Sequence, residues 1–272
     1  MNVAVVQWRP EVGDPSTNRE YAREAIADAA EAGADLVVLP ELFTVGYFAF
    51  DAWSAGAEPF DGPTHHLASD SARTYDIAIL AGSFVEDLSK TESVDTPGEN
   101  GLANTSILVD RRGDLVASYR KMHLCGYGSE EPERMVPGDT LGVGTIGEHT
   151  VGIATCYDLR FPELHRAYQD AGVTLMLVPS AWPTPRAEHW ELLCRVRAME
   201  NQWYLAASNG CGEMGETALC GRSCVVDPWG RIVADLDENH GMVVASADRS
   251  EVDRIRAEFP ILDDRRDDLS RS

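Results

Sequence analysis

The feature that most constrains this chain is an internal repeat. EAGADLVVLPE at 31–41 matches DAGVTLMLVPS at 170–180, and TSILVDRRGDLVA matches RSCVVDPWGRIVA later in the chain. NVAVVQ also resembles TVGIATC, and DIAILAGS resembles QWYLAASN. Because the four matches keep one order, the sequence predicts two similar halves, about 1–120 and 150–245.

The apolar pattern of each half predicts how its strands are covered. LVVLP and LMLVP are near-continuous apolar runs, which are typical of central strands covered by helices, whereas the hairpin segments alternate. Two such sheets can stack through their inner faces with helices outside. We therefore predict an α/β fold, a four-layer α-β-β-α sandwich built from two pseudo-symmetric halves. We expect residues 1–272 to form a single domain, with 260–272 as a charged C-terminal arm.

Capping residues predict the limits of the first elements. A helix over 16–32 has Ser16 or Thr17 near its N-cap and Gly33 just past its end. IAILAGSFV, residues 77–85, is predicted as one strand. With the hairpin that follows, the first half reads β-α-β-α-β plus a hairpin.

Charge excludes several classes of partner. The chain has 45 Asp and Glu against 23 Lys and Arg, a formal net charge of −22, and its lysines are Lys90 and Lys121. Such a field repels nucleic acid and anionic membranes, so neither is an expected partner. We expect adaptation to high salt, which screens the self-repulsion of the carboxylates. An ordinary acidic protein is the alternative.

The sequence gives no sign of a targeting or metal-binding segment. No apolar run approaches the roughly 20 residues that span a bilayer. The first residues, MNVAVVQW, read as a strand without a basic leader region, so we expect a cytoplasmic protein. The six cysteines form no CxxC pair, and the adjacent His65 and His66 cannot face one metal from a regular element. We therefore expect neither a disulfide framework nor a metal site.

Three reactive side chains lie at predicted strand ends. Glu41 follows the strand at 35–39, Lys121 leaves the hairpin, and Cys156 follows the strand at 151–155. Ligand sites of α/β sheets collect at the carboxyl ends of strands. A carboxylate can take the thiol proton and an ammonium can hold an oxyanion, which fits acyl transfer. Because most buried cysteines only pack, a structural role for Cys156 remains the alternative.

These residues lie in three blocks that resemble a known family. LPELF with Glu41, YRKMHL with Lys121 and CYDLRFPE with Cys156 resemble the signature blocks of the nitrilase superfamily of carbon–nitrogen hydrolases. The resemblance continues through RVRAMENQWYLAASN and GRSCVVDPWGRIVADL, and so covers nearly the whole chain. It implies the same four-layer fold. It also implies a homodimer, since family members usually pair through helices near their active sites.

The resemblance implies roles for the residues of the three blocks. Cys156 attacks the amide carbon, and Glu41 is the general base for the thiol and then the general acid for the leaving ammonia. Lys121 and the backbone N–H of Tyr157 stabilise the tetrahedral oxyanion. No cofactor or metal is required, because nucleophile, base and oxyanion donor are all protein groups.

Family members also carry a second catalytic glutamate, seven residues before a glycine. Gly138 selects Glu131 for this position, and the adjacent Glu130 is the alternative. Glu200, in RAMEN, is expected to be structural.

Several short sequence segments resemble the ω-amidase branch of the superfamily. FTVGY, CYDLRFPE, SAWPTPRAEHW and the late EFP at 258–260 are the segments that carry this likeness. The branch hydrolyses the terminal amide of 2-oxo acids such as 2-oxoglutaramate and 2-oxosuccinamate, small molecules whose carboxylate needs a cation. Expected substrate-binding residues, besides Tyr157, are Arg160, Arg186, Trp182, Phe43 and Tyr47, with surface ion pairs as the alternative for the arginines. Amidases of deaminated glutathione, N-carbamoyl amidohydrolases and nitrilases remain alternative activities.

Two readings from other classes are disfavoured. Gly142, Gly144 and Gly147 match the dinucleotide fingerprint GxGxxG, but the motif follows a loop and precedes a strand instead of opening a helix. A non-catalytic binding protein on this fold is expected to have lost one of Glu41, Lys121 and Cys156, and all three are present.

Overall fold

The computed structural model describes residues 1–266, which form β-strands, α-helices and short 3-10 turns. The strands are β1 (Asn2–Gln7), β2 (Leu36–Val38), β3 (Ala78–Leu80), β4 (Phe84–Asp87), β5 (Leu102–Val109), β6 (Leu115–Arg120), β7 (Gly142–Ile146), β8 (His149–Ile153), β9 (Leu175–Ser180), β10 (Tyr204–Asn209), β11 (Cys211–Met214), β12 (Thr217–Cys220), β13 (Cys224–Val226), β14 (Ile232–Asp235) and β15 (Gly241–Ser246). The α-helices are α1 (Pro15–Glu31), α2 (Trp53–Gly56), α3 (Pro63–Tyr75), α4 (Glu131–Arg134), α5 (Pro162–Asp170), α6 (Ala187–Asn201) and α7 (Arg249–Glu258).

The two main sheets repeat one topology. In the first sheet β1, β2 and β3 are parallel neighbours, β5 pairs antiparallel with β3, and β6 pairs antiparallel with β5. In the second sheet β8, β9 and β10 are parallel, β13 pairs antiparallel with β10, and β14 with β13. Each first parallel strand also has an outer antiparallel neighbour, β15 on β1 and β7 on β8. The predicted repeat is therefore confirmed in strand order and direction.

Alternating side chains give each sheet two apolar faces. Along β1, Val3 and Val5 face the second sheet and pack with residues such as Leu175, whereas Ala4 and Val6 face α1 and α3. The outer face of the second sheet packs against α5 and α6. The layers are thus helices, sheet, sheet and helices, which confirms the predicted four-layer sandwich.

The start of α1 differs from the prediction. The helix begins at Pro15, and the side chain of Asp14 caps it by accepting a hydrogen bond from the Thr17 N–H at 3.1 Å. A carboxylate cap followed by proline at the first helical position is a stronger start signal than Ser16 or Thr17. Gly33 lies just beyond the end of the helix, as predicted, with φ +80°.

The predicted strand at 77–85 is two strands, β3 and β4, separated at Gly82. Gly82 has φ +40°, and a Cβ atom there would lie 2.0 Å from the carbonyl oxygen of Pro40. Only glycine allows this approach. The prediction of one strand was wrong because the chain must turn here to pass against the residue before Glu41.

The remaining segments bear on the alternative readings. The GxGxxG motif runs from β7 into the turn before β8, so no helix follows it.

In residues 260–266, Arg265 folds back to pair with Asp170 of α5 at 2.7 Å, and residues 267–272 of the predicted arm lie outside the described residues. No helix within residues 1–266 has the length and apolar character of a membrane span.

Candidate active site

Cys156 lies in a strained turn directly after β8. Residues Cys156–Arg160 form a 3-10 turn, and Cys156 itself has φ +49°. A non-glycine residue in this region costs about 1–3 kcal/mol, so the surrounding contacts must hold it there. The Thr155 N–H donates to Asp158 Oδ2 at 2.9 Å, and Arg197 Nε donates to the Leu159 carbonyl oxygen at 2.9 Å. The turn leaves its first backbone N–H groups without a partner inside the turn.

A fully buried lysine joins two buried carboxylates beside this turn. Lys121 Nζ lies 2.8 Å from Glu41 Oε1 and 2.9 and 2.8 Å from the two oxygens of Glu131. Asn104 Nδ2 donates to the same two carboxylates, at 2.9 Å to Glu41 and 3.0 Å to Glu131. The Cys125 N–H donates to Glu131 Oε2 at 2.8 Å. We call Glu41, Lys121 and Glu131 the buried triad.

Burial and neighbouring charges shift the pKa values of the groups around the thiol. Burial raises the pKa of Glu41, with Glu131 adding to the rise and Lys121 opposing it. Burial works to lower the pKa of Lys121, but the carboxylates of Glu131 and Glu41 outweigh it and hold that pKa well above its usual value. Burial and then the charge of Glu41 raise the pKa of the Cys156 thiol well above its usual value. These shifts favour the neutral thiol over the thiolate and the charged ammonium over the free amine, and they make Glu41 a stronger base than an exposed carboxylate.

A cavity of about 280 Å³ opens above Cys156. The cavity lining includes Cys156 and five of the predicted substrate-binding residues, Tyr47, Tyr157, Arg160, Trp182 and Arg186. The buried triad lies beneath this lining, and its side chains have essentially no exposed surface. A ligand in the cavity can therefore contact the thiol directly, whereas the buried triad lies behind the thiol.

Two arginines in the cavity wall stack on aromatic rings. The Arg160 guanidinium carbon lies 4.6 Å from the ring centroid of Trp182 and 5.7 Å from that of Tyr157. The Arg186 guanidinium carbon lies 5.3 Å from the ring centroid of Tyr127. Within residues 1–266 neither arginine pairs with a carboxylate, although the chain has 45 acidic residues. Their charges are therefore available to an anionic ligand.

The structure places the three glutamates that were candidates for the second catalytic position in different surroundings. Glu131, and not Glu130, contacts Lys121; Glu130 instead pairs with Arg134 on the surface. Glu200 pairs with Arg197 and lies outside the cavity lining, as its structural interpretation predicts.

Phe43 does not line the cavity, so its predicted role in substrate binding is wrong. Its side chain is fully buried in the core beneath α1 and α3, 5.8 Å from the ring of Trp8. The reason is local, because Leu42 has φ +43° and this left-handed residue redirects the chain. Tyr47, further along the same loop, does reach the cavity.

Sequence reasoning missed two residues of the site. Asn104 bridges the two carboxylates, and a polar residue in the apolar strand LANTSILV is the signal that could have found it. Asp158 is a fully buried member of the Cys156 turn, two residues after the cysteine. Within residues 1–266, no three His, Cys, Asp or Glu side chains come together to hold a metal ion.

Comparison with known proteins decides the family. The family model described as carbon-nitrogen hydrolase matches residues 2–257. The chain belongs to the carbon–nitrogen hydrolase family. The predicted resemblance to the nitrilase superfamily is therefore confirmed, and the chain is an enzyme that hydrolyses carbon–nitrogen bonds.

Several relatives of this carbon–nitrogen hydrolase are named as amidases. It is 36% identical over 240 residues to the 2-oxoglutaramate amidase of Paenarthrobacter nicotinovorans, which covers 87% of this chain and 80% of that protein. It is 36% identical over 266 residues to the deaminated glutathione amidase of Mus musculus, with 93% and 79% covered. A solved variant of the amidase from Nesterenkonia sp. AN1 matches with a TM-score of 0.77 and 30% identity, over 96% of this chain and 99% of that one. That variant shows Michael addition of acrylamide at its active-site cysteine.

Proposed function

We propose that this hydrolase is an ω-amidase, which cleaves the terminal amide of a small carboxylate-bearing 2-oxo acid such as 2-oxoglutaramate or 2-oxosuccinamate. The observation that carries the proposal is the placement of Cys156 in a cavity, above the buried triad and between two arginines that pair with no carboxylate of residues 1–266. The likeness to a 2-oxoglutaramate amidase supports the substrate class.

The first half-reaction forms a thioester on Cys156. Glu41 takes the thiol proton as Sγ bonds to the amide carbon, and the carbonyl oxygen becomes an oxyanion. Lys121 and the backbone N–H of Tyr157 stabilise that charge. When the C–N bond breaks, Glu41 returns the proton to the departing nitrogen, and ammonia leaves. The raised pKa values of the thiol and of Glu41 support a proton transfer that accompanies attack, in place of a preformed thiolate.

The second half-reaction releases the acid. Glu41 takes a proton from water as the water oxygen bonds to the thioester carbon. The second oxyanion collapses, the C–S bond breaks, and Glu41 gives the proton back to Sγ. Glu131 keeps its contacts with Lys121 and the Cys125 N–H throughout, so it holds the ammonium in place while the proton on Glu41 comes and goes.

The arginines select the substrate. We assign the substrate carboxylate to Arg160 and Arg186, because charge-assisted hydrogen bonds to guanidinium are strong in a partly desolvated cavity. Trp182 and Tyr47 wall the aliphatic part, and the cavity of about 280 Å³ suits a small molecule.

Hydrolysis of deaminated glutathione is the second candidate, and the relative from Mus musculus favours it. Deaminated glutathione carries the same 2-oxoglutaryl group as 2-oxoglutaramate but a dipeptide in place of ammonia as the leaving group. The two candidate substrates therefore need the same binding site for the 2-oxoglutaryl group. They differ in the size of the leaving group that the cavity must hold. Nitriles and N-carbamoyl amines are the remaining activities to test.

The test is a product assay with purified protein in molar KCl. Wild type and Cys156→Ala are incubated with 2-oxoglutaramate, 2-oxosuccinamate, deaminated glutathione, an N-carbamoyl amine and an aliphatic nitrile, and ammonia and 2-oxoglutarate are quantified. The ω-amidase proposal expects ammonia from both 2-oxo amides and none in the variant. Faster 2-oxoglutarate release from deaminated glutathione supports the second candidate, and turnover by Cys156→Ala contradicts the mechanism for every substrate.

We also propose that the enzyme works in the cytoplasm as a homodimer of single-domain chains, with a surface adapted to high salt. Six free cysteines support a reducing compartment, and the net charge of −22 supports salt adaptation. The homodimer rests on the family resemblance alone, and light scattering in molar KCl tests it, since a monomer mass contradicts it.

A further inference from the structure

One buried carboxylate connects the segment that carries Lys121 to the turn that carries Cys156. Asp158 has no exposed surface, and its Oδ2 accepts hydrogen bonds from the Thr155 N–H at 2.9 Å and from Tyr119 Oη at 2.8 Å. Its Oδ1 accepts from the His123 N–H at 3.0 Å and faces His123 Nδ1 at 2.7 Å. All four contacts converge on one side chain.

The partners of Asp158 lie next to the reacting groups. Thr155 directly precedes Cys156, and Tyr119 and His123 lie two residues before and after Lys121. The nucleophile turn and the lysine segment therefore cannot shift relative to each other without breaking contacts of Asp158. Because Cys156 sits in a left-handed conformation that it does not favour, the turn needs the support that Tyr119 and His123 give it through Asp158.

We infer that Asp158 is a positioning residue of this hydrolase, which fixes the Cys156 thiol and the Tyr157 N–H relative to the Lys121 ammonium. Attack on an amide requires the sulfur, the carbonyl carbon and the oxyanion donors to be aligned together, and a shift of about 1 Å costs on the order of 100-fold in rate. Asp158 itself is not among the residues that line the cavity. This inference rests on the proposed roles of Cys156 and Lys121.

Asp158→Asn tests the inference, because the amide nitrogen places a donor against the N–H of Thr155 or His123. We expect kcat for 2-oxoglutaramate to fall about 100-fold while KM stays within about threefold. Alkylation of Cys156 by iodoacetamide is expected to stay within about threefold of wild type, since alkylation needs the thiol but no oxyanion donor. A merely structural loss would lower the active fraction and the alkylated fraction together.

Glu58→Gln is the matched control. Glu58 is also a buried carboxylate that accepts a backbone hydrogen bond, from the Thr64 N–H at 3.0 Å near the start of α3, but it does not contact the Cys156 turn. It is expected to lower the melting temperature without lowering kcat. An Asp158→Asn enzyme that is folded and has a kcat within about threefold of wild type overturns the inference, as does an equal loss of kcat in Glu58→Gln.

Tyr119→Phe keeps the test decisive if Asp158→Asn does not fold. It removes one donor to Asp158 and keeps the carboxylate and the buried ring. We expect a smaller fall in kcat, about tenfold, at constant KM, and an unchanged kcat overturns the inference. Cys156→Ala distinguishes a failure of the proposed function from a failure of this inference. An active Cys156→Ala enzyme contradicts the proposed function. An inactive Cys156→Ala enzyme together with a normal Asp158→Asn enzyme contradicts only the role of Asp158.

Discussion

The backbone N–H of Glu41 donates a hydrogen bond to the carbonyl oxygen of Ser180 at 3.3 Å, and these two residues occupy the same position in the two repeats. The next residue of the second repeat, Ala181, donates its N–H to Glu41 Oε2 at 2.9 Å. One copy thus supplies the carboxylate, and the other supplies the backbone that orients it. The pseudo-symmetry that builds the stacked sheets also builds the floor of the active site.

Glu41→Gln should separate turnover from thiol reactivity. With the proposed general base removed, we expect amide hydrolysis to fall about 10³-fold. The charge of Glu41 raises the pKa of the Cys156 thiol and that of Lys121 lowers it, so the variant should alkylate faster than wild type at neutral pH. Ammonia release and iodoacetamide labelling measure the two effects, with Glu58→Gln as the control. Turnover within tenfold of wild type would contradict the assignment of the base.

The pH profile of kcat/KM should report the raised pKa of Glu41. The base works only as a carboxylate, so activity is lost as the pH falls through its pKa. Because burial and Glu131 raise that pKa, the acid limb should lie above the ordinary value of 4.5. Glu58 is another buried carboxyl with a raised pKa, and Glu58→Gln should leave the limb in place. A limb at or below pH 4.5 in folded enzyme contradicts this prediction.

The repeat made the architecture predictable, because strand order, strand direction and layer order all follow from two similar halves whose strands are covered by helices. It also placed Glu41 and Cys156 at corresponding edges of the two sheets. Asn104 was within reach of the same reasoning. In the β5–β6 hairpin Thr105 pairs with Arg120, so Asn104 lies opposite Lys121, and its carbonyl accepts the Lys121 N–H at 2.9 Å.

Loop conformation was not predictable in the same way. Phe43 and Tyr47 lie in one aromatic loop, yet the first is in the core and the second in the cavity. Which of the two rings enters the cavity depends on the left-handed backbone of Leu42, and leucine is a residue type that does not predict a positive φ. The split of 77–85 likewise depends on how close Gly82 comes to Pro40, a tertiary contact between distant segments.

Arg160→Gln and Arg186→Gln should weaken binding of anionic amides. Loss of a charge-assisted hydrogen bond costs about 1.5–3 kcal/mol, so we expect KM for 2-oxoglutaramate to rise about 10- to 100-fold. For a neutral aliphatic amide the same variants should change KM little. Arg23→Gln, on the exposed face of α1, makes the same change in net charge away from the cavity. Equal effects on the charged and neutral amides would show that the arginines only shape the cavity.

Salt should stabilise the folded enzyme. Raising KCl from about 0.1 M to 1 M shortens the Debye length from about 10 Å to 3 Å, which screens repulsion within a surface of net charge −22. We expect the melting temperature to rise by at least about 5 °C. The gain should shrink near pH 4.5, where many exposed carboxylates carry a proton. Equal melting temperatures in dilute and molar KCl contradict salt adaptation.

The two lysines form a matched pair for testing how burial changes an ion pair. Lys121 and Lys90 each lie 2.8 Å from a carboxylate, but Lys121 and its partners have no exposed side-chain surface, whereas 61% of the Lys90 side chain is exposed. Lys121→Met strands two buried carboxylates and should cost about 3–5 kcal/mol of unfolding free energy. Lys90→Met should cost about 0–1 kcal/mol.

The pH dependence of the loss identifies its cause. Without the ammonium, burial and the charge of Glu131 raise the pKa of Glu41 without opposition, so the folded Lys121→Met variant takes up a proton more readily than the unfolded chain. The loss of unfolding free energy relative to wild type, measured by urea unfolding, should therefore be largest above neutral pH and shrink as the pH falls. A loss of unfolding free energy equal to that of Lys90→Met, or a loss that does not depend on pH, would contradict this account. Either result would mean that the carboxylates are solvated or already neutral in the folded enzyme.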